Sequence, residues 1–477
     1  MNHRCALASL ALLLVLAARS GAAPHTPVLQ ALPLEGVRRL LVLAPHCDDE
    51  TLGSGGLIQQ VLRRGAQVRV VLATNGDGFL FATMEEYRRV YPRHADFVLM
   101  GALRQQESLT ALGLLGVAEE RVSFLSYPDR GSPALWSNHW SASEPYRSPY
   151  SGDDRSPYAL TYNPSSVYCG EDYLADLQSV LAEFQPDLIM LPHSNDMHPD
   201  HWGLSVFARL AVALQEQASP GFRPAVYAYL VHRHDFPEPR GLLPAAELLP
   251  PEALWYVDPR VSWLRLDLSP EEVQRKQEAV LAYRSQIPLL RGLLESFVRR
   301  NELFEPALIF PLPLLSSGEL LDPDGWRDAE GRAVEPVQPD PSRDVLMHTL
   351  MAGADLTDVY AGLRPDGSLA VCARLRGPAL PELGYVLRVA AAGPQGVKHW
   401  LARSNRRPGA LPARVAGPFI GMELPAEELG QPWYVLVEAE VHEPGPGVLD
   451  QSAWCLLSRE GPPAAARPRH PRGGPGS

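Results

Sequence analysis

The residues of this chain best placed to do chemistry fall into two tight groups. His46, Asp48, Asp49 and Glu50 stand in PHCDDE, directly after the aliphatic run 40–44. His198, Asp200 and His201 stand in HPDH, just past the apolar run 187–191. An imidazole crowded with three carboxylates is unfavourable unless a cation or a proton neutralises them. A hydrolytic zinc commonly takes three N or O ligands from protein and keeps a position for water. One group can offer a His and an Asp and the other a His, a count that suits one ion.

The elements that must position these groups are legible as an alternation. A strand at 40–44, a helix at 57–64 and a strand at 68–73 make a βαβ unit, with Gly53, Gly55 and Gly56 loosening the backbone before the helix. Helices at 94–112, 172–184 and 202–213 alternate with strands at 122–127, 187–191 and 225–231, and 261–268 reads as a further strand. Two more helices follow at 270–283, opened by Ser269 with acids in its first turn, and at 289–302. The expected fold is α/β: a Rossmann-like three-layer sandwich over 34–310 with a mostly parallel sheet. Its first and fourth strands are then neighbours, so both groups face one crevice where strand order reverses. An insertion at 132–169 holds Trp136, His139, Trp140, Tyr146, Tyr150, Tyr158 and Tyr162. A connection this long suits a lid or binding loop, its aromatic residues either stacking on sugar rings or pinning it down.

Residues 311–344, rich in Pro, Asp and Gly, read as a linker, and 345–458 as a small all-β sandwich of short alternating strands. From 459 to 477 Pro, Gly, Ala and Arg dominate, and disorder is expected. Two domains with tails suit a chain of 477 residues. At the other end, Arg4 precedes an apolar run at 6–18 too short to span a bilayer, and Gly21-Ala22-Ala23 offers a cleavage site. Residues 1–23 thus read as a signal peptide, with a secreted or cell-envelope (extracytoplasmic) location and no membrane-spanning segment after cleavage. Loss of Arg4 and Arg19 would take the net charge from −12 to −14, which disfavours nucleic acid as a partner. Cys47, Cys169, Cys372 and Cys455 make no disulfide framework, though Cys372 and Cys455 could pair.

PHCDDE and HPDH, in this order after the first and fourth strands, resemble the LmbE-like, PIG-L superfamily of zinc-dependent de-N-acetylases. Arg104-x-x-Glu107, Tyr127-Pro128-Asp129, Lys276, Tyr283-Arg284-Ser285-Gln286 and Asn301-Glu302-Leu303-Phe304 support the resemblance, which covers most of the α/β domain. It implies a hydrolase that removes an N-acetyl group from an N-acetylglucosamine-type glycan or glycoconjugate by attack of a zinc-activated water. It further implies that His46, Asp49 and His201 hold one Zn²⁺ and that Asp48 is the general base. His198 would stabilise the tetrahedral oxyanion, Asp200 orient a histidine, and Arg104 bind a polar part of the substrate.

Cys47 stands where the family usually has proline. It is either a thiolate ligand or a small structural substitute, and three ligands already found favour the latter. Glu50 and Glu107 suit ligand orientation or, better, structural hydrogen bonds. Asp196 either lines the pocket or turns its loop, and Asp77 and Asp129 have the same two roles open. His193 and His139 read as surface or loop histidines. Competing functions are another zinc amide or ester hydrolase, and a catalytically silent surface glycan-binding protein. An intact His46, Asp48, Asp49, His198 and His201 argues against the silent form.

Overall fold

The computed structural model describes residues 29–255, 257–342, 344, 351–405, 409–445 and 447–459. The expected signal peptide, and the expected tail beyond its first residue, lie outside them. The run RLLVLA forms β1 (Arg39–Ala44), buried at five of six positions, as befits an aliphatic strand covered on both faces. β2 (Gln67–Thr74) and β3 (Val122–Tyr127) add in parallel on one side of β1; β4 (Leu188–Pro192) and β5 (Ala225–Tyr229) add in parallel on the other. β6 (Leu264–Asp267) and β7 (Asn301–Pro306) extend the sheet, β7 running antiparallel to both β5 and β6, and the two-residue strand Gln30–Ala31 closes it in parallel beside β6. Strand order therefore reverses between β1 and β4, where Leu40 faces Leu188 and Val42 faces Met190. This is the expected α/β architecture, and its switch point is where the two chemical groups emerge.

Alternate residues of β1 serve two layers. Leu40, Val42 and Ala44 pack with α1 (Asp49–Arg63), α2 (His94–Leu115) and α5 (Pro270–Val280), while Leu41 and Leu43 pack with α3 (Gly170–Phe184) and α4 (Pro199–Ala218). One expectation changes here. The glycines after PHCDDE do not loosen a loop; the helix starts at Asp49 and contains them. A Cβ at Gly53 would overlap the Tyr229 ring, and one at Gly56 would overlap Leu268, so glycine is what lets the helix lie this close. A buried ion pair is laid across the same turn. Lys276 Nζ donates to Leu52 O and to Glu302 Oε1, both at 2.7 Å, while Glu302 accepts the N–H groups of Gly56 (2.7 Å) and Leu57 (2.9 Å).

The second half is the expected β-sandwich. One sheet contains β8 (Leu356–Leu363), β9 (Leu369–Leu375) and β12 (Phe419–Leu424); the other contains β10 (Gly384–Gly393), β11 (Gly396–Arg403), β13 (Tyr434–His442) and β14 (Cys455–Ser458). Their inner faces share one core. Residues 311–344 are not a free linker. Phe310–Pro311 pairs with β14, and Leu315–Ser317 pairs with Arg327–Asp328. Trp326 is wholly buried in a cluster with Leu315, Tyr360 and Cys372, so turn residues there wrap a large apolar anchor. Cys372 and Cys455 are free thiols in different clusters.

The two halves share a core as well. Trp136, from the insertion, is wholly buried, its ring 5.0 Å from Phe207 and 5.5 Å from Trp454. Tyr434 Oη donates to Ala213 O at 2.9 Å, and Arg209 donates to Trp454 O at 2.9 Å. Trp136, Trp140 and Tyr158 thus pin the insertion: Trp140 lies 4.7 Å from His399, and Tyr158 donates to Asp77 at 2.8 Å. The Lys276–Glu302 pair makes a stability prediction. Lys276→Met leaves a buried carboxylate without its cation and should cost about 3–5 kcal/mol in urea unfolding. A loss below about 1 kcal/mol, the value of an exposed pair, would contradict it.

Candidate metal and active site

HPDH is a helix start. His198 is the N-cap of α4, its Nδ1 accepting the Asp200 N–H at 3.3 Å, and Pro199 fills an opening position that needs no N–H. His201, in the same first turn, comes back to the face of the cap. Across the crevice, Asp48 is the N-cap of α1 with φ 154° and ψ −32°. Backbone in such a region costs about 1–3 kcal/mol and must be held by its surroundings. Two groups hold it. Asp48 N–H donates to Glu50 Oε2 at 3.0 Å, and Arg104 Nη2 donates to Cys47 O at 2.9 Å and to Asp48 Oδ2 at 3.3 Å. Arg104 Nη1 donates to Gly76 O at 2.8 Å; Gly76 has φ +64°, and a Cβ there would overlap the guanidinium.

Three ligand atoms converge between the strands. His46 Nδ1 lies 3.1 Å from Asp49 Oδ2, Asp49 Oδ2 lies 3.0 Å from His201 Nε2, and His201 Nε2 lies 3.3 Å from His46 Nδ1. A tetrahedral ion with ligands at about 2.0–2.1 Å sets ligand atoms about 3.3 Å apart, so the triangle fits zinc. Asp49 Oδ1, wholly buried, has no hydrogen-bond partner. The far nitrogens decide the tautomers. His46 Nε2 faces Asp200 Oδ2 at 3.2 Å and Asp129 Oδ1 at 3.4 Å, and His201 Nδ1 faces Asp196 Oδ2 at 3.0 Å. Each carboxylate draws a proton to its side of the ring and leaves a lone pair pointing inward. Burial opposes an imidazolium at His201, but Asp196 and Asp49 outweigh it and push the pKa up to about 9. The field therefore favours positive charge at the centre, which a dication supplies with both rings neutral.

The expected site residues mostly gather here, and their neighbours take definite places. Asp200 accepts from the backbone of Arg130 (2.6 Å) and Ser132 (3.1 Å) while facing His46. Arg104 is placed otherwise than expected. It is 4% exposed, its Nη atoms donate to Gly76, Cys47 and Asp48, and its Nε has no partner, so its bonds position Asp48. Cys47 points into the core beneath the sheet, which is the structural role. Burial raises the Glu50 pKa to about 8, with Asp48 adding to it, and Glu50 Oε1 takes bonds from Ser108 and Tyr283. Glu107 holds Ser285 through its backbone and hydroxyl, both at 2.7 Å. Both glutamates are structural. Asp129 does two jobs, accepting the Gly78 N–H at 2.7 Å and facing His46. His193 is buried, not on the surface, paired with Glu305 at 2.8 Å and stacked on Trp263. His139 lies outside the site, its Nδ1 on Glu144 O.

Two residues exceed the sequence reading. Asp196 both turns its loop, by accepting from Val231 and His232 N–H at 3.1 and 2.9 Å, and orients His201. His232 brings a fourth ligand atom to within 4.8 Å of those of His46, Asp49 and His201. Its sequence signal was available: it comes directly after the expected strand 225–231, at the same sheet edge as the two motifs.

A parallel α/β sheet with a His–Asp–His triangle and a spare carboxylate at its switch point is the frame of a metal-dependent hydrolase. The family model described as PIG-L, GlcNAc-PI de-N-acetylase, matches residues 41–212. The chain is 30% identical over 309 residues to a 1D-myo-inositol 2-acetamido-2-deoxy-alpha-D-glucopyranoside deacetylase of Mycobacterium sp. (strain KMS), 62% of this chain and 88% of the relative. A deacetylase of the same description from Kineococcus radiotolerans is 30% identical over 177 residues, 35% of this chain and 43% of the relative. Among solved structures, the N,N'-diacetylchitobiose deacetylase from Pyrococcus horikoshii aligns over 57% of this chain and 84% of its own, at 19% identity and a TM-score of 0.35. The chain belongs to the PIG-L family and is an N-deacetylase, a hydrolase of amide C–N bonds.

The placement of Arg104 separates two roles. Arg104→Gln should lower deacetylase kcat about 100-fold by releasing Asp48, with KM and metal content near wild type. An unchanged kcat with a raised KM would instead restore the substrate-binding role.

Proposed function

We propose that this enzyme removes the acetyl group from an N-acetylglucosamine-type glycan or glycoconjugate, using one zinc ion held by His46, Asp49 and His201. The observation that carries the reading is the ligand triangle with edges of 3.0–3.3 Å, each histidine set in its metal-binding tautomer by a separate carboxylate. When bound, zinc supplies Lewis acidity to the amide carbonyl and lowers the pKa of water.

The protein's own groups do the rest. Asp48, anchored by Arg104 at 3.3 Å, sits one residue before a ligand and is free to accept the proton of the attacking water. Burial pushes its pKa up, and Arg104 draws it back down, so the base is neither inertly acidic nor locked in its protonated form. His198 takes the opposite part. Its Nδ1 accepts the Asp200 N–H, so Nε2 carries the proton and can donate to a developing oxyanion. Burial and the neighbouring His46, His201 and His232 hold its pKa well below the ordinary value, which keeps that tautomer neutral. A cleft of about 310 Å³ lined by His198, His232, Arg233, His234 and Arg240 opens at this edge and offers room for the substrate.

The amino-sugar substrate rests on the Mycobacterium relative, and the extracytoplasmic location on the apolar run and small residues at 6–23. No helix among the described residues is long and apolar enough to cross a membrane. The test is acetate release from N-acetylglucosamine conjugates. Release should stop on chelation and return with zinc, and Asp48→Ala should lower kcat by about 10²–10⁴-fold without loss of the metal. Full activity in Asp48→Ala would refute the base assignment. In a second measurement, His201→Ala should lose the zinc seen by elemental analysis; zinc at the wild-type level would refute the ligand set.

A further inference from the structure

A second cluster of acids lies outside the crevice, where the segment leading into the sandwich meets its strands. Asp340 follows the short strand Gln338–Pro339, Asp344 lies four residues on, and Asp450 belongs to the strand Val448–Gln451 that pairs with β13. One carboxylate oxygen from each lies within 4.8 Å of the other two. Asp340 is 7% exposed and Asp450 8%, and Asp344 is half-buried.

Several acids buried elsewhere among the described residues are matched by donors. Asp176 receives Tyr127, Asn163 and Ser166, and Glu302 receives Lys276 and two backbone N–H groups. Here the matching is incomplete. Asp450 accepts the N–H groups of Leu356 (2.6 Å) and Gln451 (2.9 Å), but Asp340 Oδ2 and Asp344 Oδ1 are buried with no hydrogen-bond partner. Arg233 Nη2 stands 3.9 Å from Asp344 Oδ2, beyond hydrogen-bond reach, and its Nε faces Asp235 at 2.8 Å. Asp355, next along, is paired with Arg376. Burial and the neighbouring Asp450 and Asp344 raise the Asp340 pKa, so the cluster resists ionisation without a compensating cation.

We propose that Asp340, Asp344 and Asp450 bind a hard divalent cation, Ca²⁺ before Mg²⁺, distinct from the metal of the crevice. An all-oxygen donor set selects hard ions over zinc. Ca²⁺ accepts irregular, protein-rich oxygen sets, whereas Mg²⁺ demands near-ideal octahedral geometry and keeps several of its waters, so three largely buried carboxylates from separate segments suit Ca²⁺ better. Unpaired Oδ atoms of Asp340 and Asp344 become ligands, and the ion ties the entering segment to the β13 side of the sandwich. Since Arg233 comes directly after His232, the same tie steadies the loop after β5.

The test uses the full chain loaded with zinc and freed of other metals. After equilibration with CaCl2 and desalting, elemental analysis should find about one calcium per chain beside the zinc. Calcium should raise the thermal midpoint by several degrees, and magnesium by less. Asp340→Asn and Asp450→Asn should each lose the bound calcium and the calcium-dependent shift, with zinc content and turnover retained. Absence of calcium from the wild type overturns the proposal, whatever the variants do, and means that protons neutralise the cluster. A calcium shift of the same size in both variants overturns the site.

Discussion

Two imidazoles can offer lone pairs to one cation only if their other nitrogens are told where to keep their protons. In this chain Asp200 does so for His46 and Asp196 for His201, at 3.2 and 3.0 Å. Both carboxylates are themselves held by backbone N–H groups, Asp200 by Arg130 and Ser132, Asp196 by His198, Val231 and His232. The metal triangle is thus the innermost ring of a set of bonds that reaches the ends of four parallel strands, β1, β3, β4 and β5. Sheet order matters to chemistry for this reason. Were β1 and β4 not neighbours, no local rearrangement could bring the two motifs to within a few ångströms.

The base depends on a different kind of support. Asp48 occupies strained backbone, and the strain is tolerated because its N–H, one of its two carboxylate oxygens and the preceding carbonyl are held by Glu50 and Arg104. Neighbouring aspartates thereby diverge. Asp49 is turned toward the histidines and Asp48 toward the guanidinium, so one sequence dipeptide yields two carboxylates of unlike character. Burial in both cases removes water, leaving each carboxylate's partner to decide its charge.

Much of this architecture is legible in the sequence. The apolar runs 40–44 and 188–191 could hardly be anything but covered strands, and the residues after each are too polar for anything but an edge. Sequence pattern starts helix α1 too late because glycine usually marks a loop; at Gly53 and Gly56 the close approach of Tyr229 and Leu268 outweighs helix propensity, and nothing local announces that. The substrate role expected of Arg104 comes from the family resemblance alone, and nothing local announces that its guanidinium grips Cys47 O and Asp48. His232 follows a legible strand and Asp196 stands beside HPDH, but that they meet at His201 is set by the register of β5 against β4. The stretch 311–344 looks like a linker because its composition is dominated by turn formers, while a single tryptophan, Trp326, anchors it.

The shared core between the halves has a consequence for how the enzyme can move. Many two-domain hydrolases open and close by swinging one body against the other about a flexible joint. Here such a swing would have to draw Trp136 and Phe207 away from Trp454, part Tyr434 from Ala213, and peel Phe310–Pro311 from β14. The sandwich is therefore a buttress against the outer layer of α3 and α4, not a flap. Any opening around a substrate then falls to the loops at the crevice rim, with the strands that carry the two motifs left in place.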